Sequence, residues 1–420
     1  MKSAANLSRR SLLTFGATAL AASALRPASL FAASPEFTSM TGDVKPVSRD
    51  EYLLRIDKAR RLMARHGIGA LLIEPGASMV YFTGVQWWRS ERLTAIVLPR
   101  EGEIAIVTPH FEAPSVGESL EVPAELRVWH EDQDPLQTVA GMLRDRKVKD
   151  PVGIEETVRY FAIDGLMRVM EDVQIMSGAA IVRGCRMVKS PTEIRLMQKA
   201  ADITIAAYRY AAPRIEKGMK PADIGALMKA AHEGYGAEHE FALVLLGEAS
   251  AYPHGSGKPQ SVEEGEVVLM DCGCSVHGYQ SDISRTFVFG AAPTAEQRKV
   301  WEQMRQGQQI AIETARVGVA AGAVDDAVRA QYEKWGYGPG YRLPGTSHRT
   351  GHGIGLDGHE PVNLVHGETT PLAEGMCFSN EPGIYLPGRF GVRLEDCFHM
   401  GEKEPVWFSK PPESIDKPMG

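Results

Sequence analysis

Apolar residues recur at helical spacing in Tyr52, Ile56, Ala59 and Met63, and Gly67 follows. That spacing predicts a helix from about Arg49 to His66. Ala70–Ile73 is a short run with the look of a buried strand. Leu93–Leu98 and Glu103–Thr108 predict two more, joined by a turn around Arg100-Glu101-Gly102. Helical patterns near Leu136–Arg146 and Ile163–Met170 complete an α/β domain over about 48–182. A boundary falls near 183–190. Ser190-Pro191-Thr192-Glu193 has the form of a capping box with proline at the first helical position. Ile194, Met197, Ala201, Ile205 and Tyr208 then form one apolar stripe.

Further helices are expected at Pro221–His232, from the Thr294 cap to about Val317, and at Val324–Trp335. Strands are expected at Phe241–Leu246, Val267–Cys274 and Thr286–Phe289, and strand and loop after the Val324–Trp335 helix, to about 408. This second domain, over 187–410, mixes helices with antiparallel strands, so the fold class is α+β.

Composition narrows the picture. The 420 residues exceed one ordinary core and suit two domains. Hydrophobic content of 44% and charged content of 24% fit a globular protein. A net charge of −7 gives no nucleic-acid footprint. No run in the body of the chain is long and apolar enough to span a bilayer.

The N-terminus differs. Ser8-Arg9-Arg10-Ser11-Leu12-Leu13 precedes an alanine-rich apolar stretch to about Leu25, and residues 1–33 hold four basic residues and no acidic one. The pattern is that of a twin-arginine export signal, with cleavage after either Ala24 or Ala33. It implies a periplasmic or secreted protein without stable membrane insertion once the signal is gone. Residues 34–47 read as a mobile linker. The five cysteines are an odd number, which excludes a disulfide scaffold, although export would permit a bridge between Cys377 and Cys397.

Five phrases carry the candidate chemistry. Asp271 opens Asp271-Cys272-Gly273, and Asp282 lies eleven residues on, in Ser281-Asp282-Ile283-Ser284-Arg285-Thr286. His352 is in Gly351-His352-Gly353-Ile354-Gly355, Glu381 in Asn380-Glu381-Pro382-Gly383, and Glu395 in Val392-Arg393-Leu394-Glu395-Asp396. Four carboxylates and one imidazole make a hard ligand set. Buried together without a cation they could not all stay ionised, and two divalent ions resolve the conflict. Such ions can hold a bridging water, supply hydroxide near neutrality and polarise a carbonyl. The three glycines around His352 allow close backbone approach, and Pro382 keeps Glu381 extended. The odd Asp271–Asp282 separation does not by itself fix their relative direction.

These phrases, in this order, resemble the pita-bread metallopeptidases, the family of aminopeptidase P, prolidase and creatinase. The resemblance implies a creatinase-like N-terminal domain and a pita-bread catalytic domain that hydrolyses Xaa-Pro bonds. It implies that Asp271 chelates one metal, that Asp282 and Glu395 bridge both, and that His352 and Glu381 complete the second site. Glu381 would also shuttle a proton. His359 looks like the histidine that stabilises the tetrahedral intermediate, and His254 like the substrate-side histidine. Arg393 and Tyr385 resemble groups that orient Asp271, and His348 matches a pocket-lining position. The metal is expected to be manganese, with cobalt, zinc or iron fitting the same donors. Family habit implies a homodimer or larger homo-oligomer. Trp87-Trp88-Arg89 either packs locally or rims a neighbouring subunit's site. His232, His239, His277, His366 and His399 match no motif.

Other reactions on this fold are the alternative. Creatinase relatives lose the ligand set, which is complete here. A lyase branch acting on dimethylsulfoniopropionate carries an extra Asp where this chain has Gly273. A small non-peptide substrate stays open.

Overall fold

A computed structural model describes residues 37–419. The first half is an α/β unit. Its helix α1 (Arg49–His66) is capped by Ser48, whose side chain accepts from the Glu51 amide, and ends at left-handed Gly67. Then come β1 (Ala70–Ile73), α2 (Ala77–Thr83), β2 (Ala95–Pro99), β3 (Ile104–Pro109), α3 (Ala113–Glu118) and β4 (Ala124–Trp129). The unit closes with α4 (Pro135–Asp145), β5 (Val152–Ile154), α5 (Tyr160–Val169), β6 (Ile175–Ser177) and α6 (Ala179–Arg186). Its six strands form one mixed sheet in the order β4-β3-β2-β1-β5-β6, with apolar clusters on both faces.

The second half opens with α7 (Pro191–Ala211). The capping box forms: Ser190 Oγ accepts from the Glu193 amide at 3.2 Å, and Glu193 Oε2 accepts from the Ser190 amide at 2.7 Å. Next come α8 (Pro221–Gly234), β7 (Glu238–Leu246), β8 (Val267–Val276), β9 (Tyr279–Gln280) and β10 (Ile283–Val288). Helix α9 (Ala295–Thr314) stops short of the expected Val317, and α10 (Ala321–Lys334) begins earlier than expected. The remainder holds β11 (Gly351–Gly353), β12 (Glu360–Leu364), β13 (Cys377–Asn380), β14 (Ile384–Leu386), β15 (Phe390–Val392), β16 (Asp396–Met400) and β17 (Pro405–Trp407).

Two antiparallel sheets matter for the site: β10-β8-β7, with β9 on β8, and β12-β11-β13-β16-β17. Helices α7 and α8 pack on the first, while α9 and α10 share an apolar cluster with strands of the second. A lone antiparallel bridge between Ser284 and Glu395 joins the two. The fold is therefore an α+β pairing of a mixed-sheet α/β domain with a domain of antiparallel sheets and helices.

The residues from 37 to 47, expected to form a mobile linker, are packed. Phe37 lies between Tyr210 and Tyr235, with ring centroids 4.9 and 5.1 Å away, and Asp43 pairs with Lys199 at 2.9 Å. Residues 1–33, where the export signal is read, lie outside the described residues. No helix among the described residues is long and apolar enough to cross a membrane.

Arg55 on α1 fastens the two halves. It donates to the Tyr81 carbonyl at 3.1 Å and to Tyr279 Oη at 2.9 Å, and it pairs with Glu193 at 3.3 Å. Tyr279 in turn donates to Glu193 Oε1 at 2.8 Å. All three side chains are buried. Arg55→Met leaves Glu193 as an unpaired buried charge and is expected to cost about 3–5 kcal/mol, read as a lower urea midpoint.

His232 on α8 gives a pH-dependent counterpart. It is fully buried, its Nδ1 lies 2.9 Å from His239 Nδ1, and burial followed by the His239 charge lowers its pKa from 6.5 to about 3. The unfolded chain then binds a proton that the folded chain refuses, so stability falls as pH drops from 6.5 toward 3. A His232→Gln variant should show a shallower loss of melting temperature across that window.

Candidate metal centre

Strand register settles the direction that the Asp271–Asp282 spacing left open. Asp271 on β8 sits opposite Ser284 on β10 and Leu243 on β7. Continuing the β8–β10 register sets Asp282 beside Gly273, two positions from Asp271 and so on the same face. Gly273 is required there: a Cβ would lie 2.3 Å from the Ser281 carbonyl oxygen and 2.4 Å from the Phe241 ring. No side chain fits at the position where the lyase branch carries its extra carboxylate.

The second sheet brings the other three residues. His352 is the middle residue of β11, and Gly351 before it admits the Ser379 carbonyl, which a Cβ would meet at 2.1 Å. Glu381 follows the end of β13, and Glu395 precedes β16. The Ser284–Glu395 bridge, with backbone bonds of 3.2 and 3.1 Å, docks Glu395 against the aspartate hairpin. One ligand atom from each of Asp271, Asp282 and Glu395 lies within 4.8 Å of the others, and the same holds for His352, Glu381 and Glu395 and for Asp282, His352 and His359. His352 Nε2 is 3.3 Å from Glu381 Oε1 and 3.7 Å from Asp282 Oδ2.

Donor chemistry fits divalent ions at this place. His352 Nδ1 lies 3.0 Å from the Gly353 carbonyl oxygen, which can only accept, so Nδ1 carries the proton. In the neutral ring Nε2 is then a lone pair facing two carboxylates, the tautomer a metal needs. Asp271 Oδ1, Asp282 Oδ1 and Glu395 Oε1 are buried with no hydrogen-bond partner. Burial, then the charges of Asp271 and Glu381, push the Asp282 carboxyl well above the usual range. Burial, then Asp282, Glu381 and Asp271, do the same to Glu395. Three orphaned oxygens among mutually repelling carboxylates are a demand for positive charge.

Arg393, Tyr385 and His348 lie beside the cluster. Arg393 donates to Asp271 Oδ2 at 2.5 Å, to Ser284 Oγ at 3.0 Å, to the Pro253 carbonyl at 3.0 Å and to Tyr385 Oη at 3.3 Å. Tyr385 Oη is also 2.8 Å from His348 Nε2, while His348 Nδ1 donates to the Arg349 carbonyl at 2.8 Å. Burial raises the Tyr385 phenol to about 12, so it stays protonated and donates to His348. Sequence reading missed Ser284, whose Oγ donates to Glu395 Oε2 at 2.8 Å, and the buried Arg285–Asp396 pair at 2.8 Å. The alternation of Asp282, Ser284 and Thr286 along β10 is the signal that could have found Ser284.

His359 stands at the edge of the cluster, its ring centroid 4.1 Å from that of His352 in an edge-on arrangement. Burial, then the His352 and Arg349 charges, lower its pKa to about 4, so it is neutral at pH 7. His254 is exposed and lines a cavity of about 530 Å³ with Leu243, Leu245 and Gln260.

The residues expected to stand apart do so. His232 faces His239, His366 pairs with Asp326, His399 lies against Phe408, and His277 occupies a turn. Trp87 and Trp88 stack on each other at 4.3 Å. All five cysteines are free. Cys377 is opposite His399 and Cys397 opposite Ser379, so those two thiols are not partners across the strands.

Comparison with known proteins agrees with this geometry. Residues 55–188 match the creatinase/prolidase N-terminal domain, and residues 195–402 match metallopeptidase family M24. A Mycobacterium tuberculosis (strain ATCC 25618 / H37Rv) protein named "Probable dipeptidase PepE" is 32% identical over 369 residues, covering 87% of this chain and 96% of the relative. The Xaa-Pro dipeptidase of Pyrococcus horikoshii is 28% identical, covering 81% of this chain and 93% of that one. Among solved structures, dipeptidase PepE from Mycobacterium ulcerans has a TM-score of 0.80 at 29% identity, over 88% of this chain and 98% of its own. Recombinant prolidase from Thermococcus sibiricus has a TM-score of 0.78 at 28% identity, over 86% and 97%. With the two domains in order and the carboxylate–histidine cluster within the second, the chain belongs to metallopeptidase family M24 and is a hydrolase of peptides.

Proposed function

We propose that this protein is an exported Xaa-Pro dipeptidase that works with two divalent metal ions. The observation that carries the reading is the set of three orphaned, buried carboxylate oxygens in the same cluster as the Nε2 lone pair of His352. Most of the similar proteins are named dipeptidases, which supports a dipeptidase, although one solved structure at 28% identity is an X-Pro aminopeptidase. In this reading Asp271, Asp282, His352, Glu381 and Glu395 would together hold the ions. Mostly oxygen donors favour manganese, with cobalt, zinc or iron as substitutes. The ions would supply a nucleophilic water at neutral pH and polarise the scissile carbonyl.

The protein's own groups do the rest. Glu381 takes the proton released on attack and delivers it to the leaving proline nitrogen, a general base turned general acid. His359, neutral at pH 7, donates to the carbonyl oxygen as negative charge develops there. His254 and the cavity beside it receive the substrate. Arg393 holds Asp271 and Tyr385 in one orientation, and Tyr385 fixes His348. A homodimer or larger homo-oligomer is part of the proposal, as is a periplasmic or secreted location carried by Arg9-Arg10 and the apolar stretch after them.

The deciding assay compares Xaa-Pro dipeptides, Xaa-Pro-Xaa tripeptides and non-proline dipeptides on chelator-stripped protein reloaded with manganese. Cleavage of Xaa-Pro dipeptides that requires metal is expected, with Asp282→Ala inactive and His359→Ala reduced about 10²–10³-fold in kcat. Protein carrying two equivalents of metal that cleaves no peptide would sink the reading and direct the search to non-peptide substrates. For export, cell fractionation should find the protein outside the cytoplasm, and replacing Arg9 and Arg10 by lysine should retain it inside.

A further inference from the structure

Helix α10 carries polar residues on a face that packing alone would make apolar. Ala321, Val324, Val328 and Tyr332 are buried along it, and so are Asp325 and Arg329, one turn apart and paired at 2.7 Å. A buried ion pair costs desolvation that an apolar pair would avoid. Its remaining hydrogen bonds show where its effect goes. Asp325 Oδ1 accepts from the Thr350 amide at 3.0 Å and from Thr350 Oγ1 at 2.7 Å. Asp325 Oδ2 accepts from Tyr341 Oη and from the His366 amide, both at 3.0 Å. Arg329 donates to the carbonyls of Gly340, Thr346 and His348, at 2.8, 3.2 and 2.5 Å. Residues 336–350 form no helix or strand, so these bonds, together with the backbone bridge between Gly345 and Tyr385, shape that loop.

The loop leads straight into the site. His348 is held through its own carbonyl, and Thr350 lies two residues before His352. The Thr350 carbonyl accepts the Glu381 amide at 2.8 Å. From the next turn of the same helix, Tyr332 Oη donates to the Pro382 carbonyl at 2.7 Å, immediately after Glu381. Three side chains of one helix therefore fix the backbone at His348, just before His352 and on both sides of Glu381.

We infer that Asp325, Arg329 and Tyr332 are positioning residues, a polar rail on α10 that sets the mutual placement of His348, His352 and Glu381. The inference rests on the metallopeptidase reading above for what those three residues do, but not for the geometry that holds them. Substitution of the rail should loosen the ion held by His352 and Glu381 and slow turnover more than it weakens substrate binding.

The test is manganese affinity of Asp325→Asn, Arg329→Lys and Tyr332→Phe by equilibrium dialysis, with melting temperatures, kcat and KM on an Xaa-Pro dipeptide. Glu74→Gln is the stability control, since it weakens a buried pair with Arg159 in the N-terminal domain, far along the chain from the site phrases. Asp325→Asn and Tyr332→Phe are each expected to lose about 10–100-fold in affinity for the weaker-bound manganese or in kcat. KM should move less than kcat, and Arg329→Lys should retain more than Arg329→Ala. Glu74→Gln should lower the melting temperature without touching metal affinity. Wild-type metal affinity and kcat in Tyr332→Phe together with Asp325→Asn would overturn the inference. So would an equal loss of metal affinity or kcat in Glu74→Gln at the same drop in melting temperature. If Asp325→Asn fails to fold, Tyr332→Phe, which removes one hydroxyl, decides alone. Should the wild-type protein cleave no peptide, dialysis still tests the rail while the peptidase reading falls.

Discussion

Everything near the site answers to the cost of holding four carboxylates within a few ångströms of one another out of water. Like charges in that setting drive protons on, as the raised pKa values of Asp282 and Glu395 register. A flexible scaffold would relieve the repulsion by letting the groups drift apart. This one does not: Asp271 is locked in the middle of a three-strand ladder, and Glu395 is stitched to Ser284 by two backbone bonds and one hydroxyl. Among the described residues the only guanidinium bonded to a carboxylate of the cluster, that of Arg393, spends its donors on Asp271, Ser284, Tyr385 and a carbonyl. Its charge offsets part of the repulsion and leaves three oxygens free. Rigid placement with incomplete neutralisation is the electrostatic signature of a cation site.

Rigidity of that kind has to be supplied by polar interactions whose own desolvation is costly. Arg285 lies beneath the cluster, fully buried, in a bidentate pair with Asp396 while donating to the Glu395 carbonyl. The pair fixes the backbone on either side of Glu395 from below as Ser284 fixes the side chain from above. An apolar pair of equal volume could pack as well, yet it could not grip carbonyl oxygens.

How much of this was legible in the sequence depended on the residue type that carried each feature. The five ligand phrases were readable because they combine scarce ingredients: paired acids, glycine triplets, a proline after an acid. Helices α1 and α7 were readable because their apolar stripes extend over several turns behind a serine cap. Helix α2 is buried on nearly every position, so no period shows, and β5, β6 and β11 are three residues each, too short to alternate visibly. The segment over 37–47 looked like linker from its Pro, Ser and Thr content. Its anchors, Phe37 and Val47, were the minority signal that tertiary packing made decisive. Serine and arginine are too common to announce Ser284 or Arg285 alone; their meaning appears only once the strands are registered.

The N-terminal domain is tied to the chemistry through buried charge rather than through apolar contact alone. One tie ends on Tyr279, at the start of β9, three residues before Asp282. The other starts from Glu155, which accepts from Ser78, and passes to Arg186, which donates to Ser78 at 2.9 Å and to Glu360 at 2.5 Å. Burial works against the Glu360 charge, yet Lys189 and then Arg186 hold its carboxyl down at about 2. Glu360 is bonded to His359 in the chain and accepts the Asp357 amide, so the loop bearing that histidine is pinned from the other domain. Both ties therefore terminate within a few residues of groups that face the cluster. A domain that only covered the site could be joined by any apolar seam. One whose buried ions end beside Asp282 and His359 is part of what holds those side chains in register.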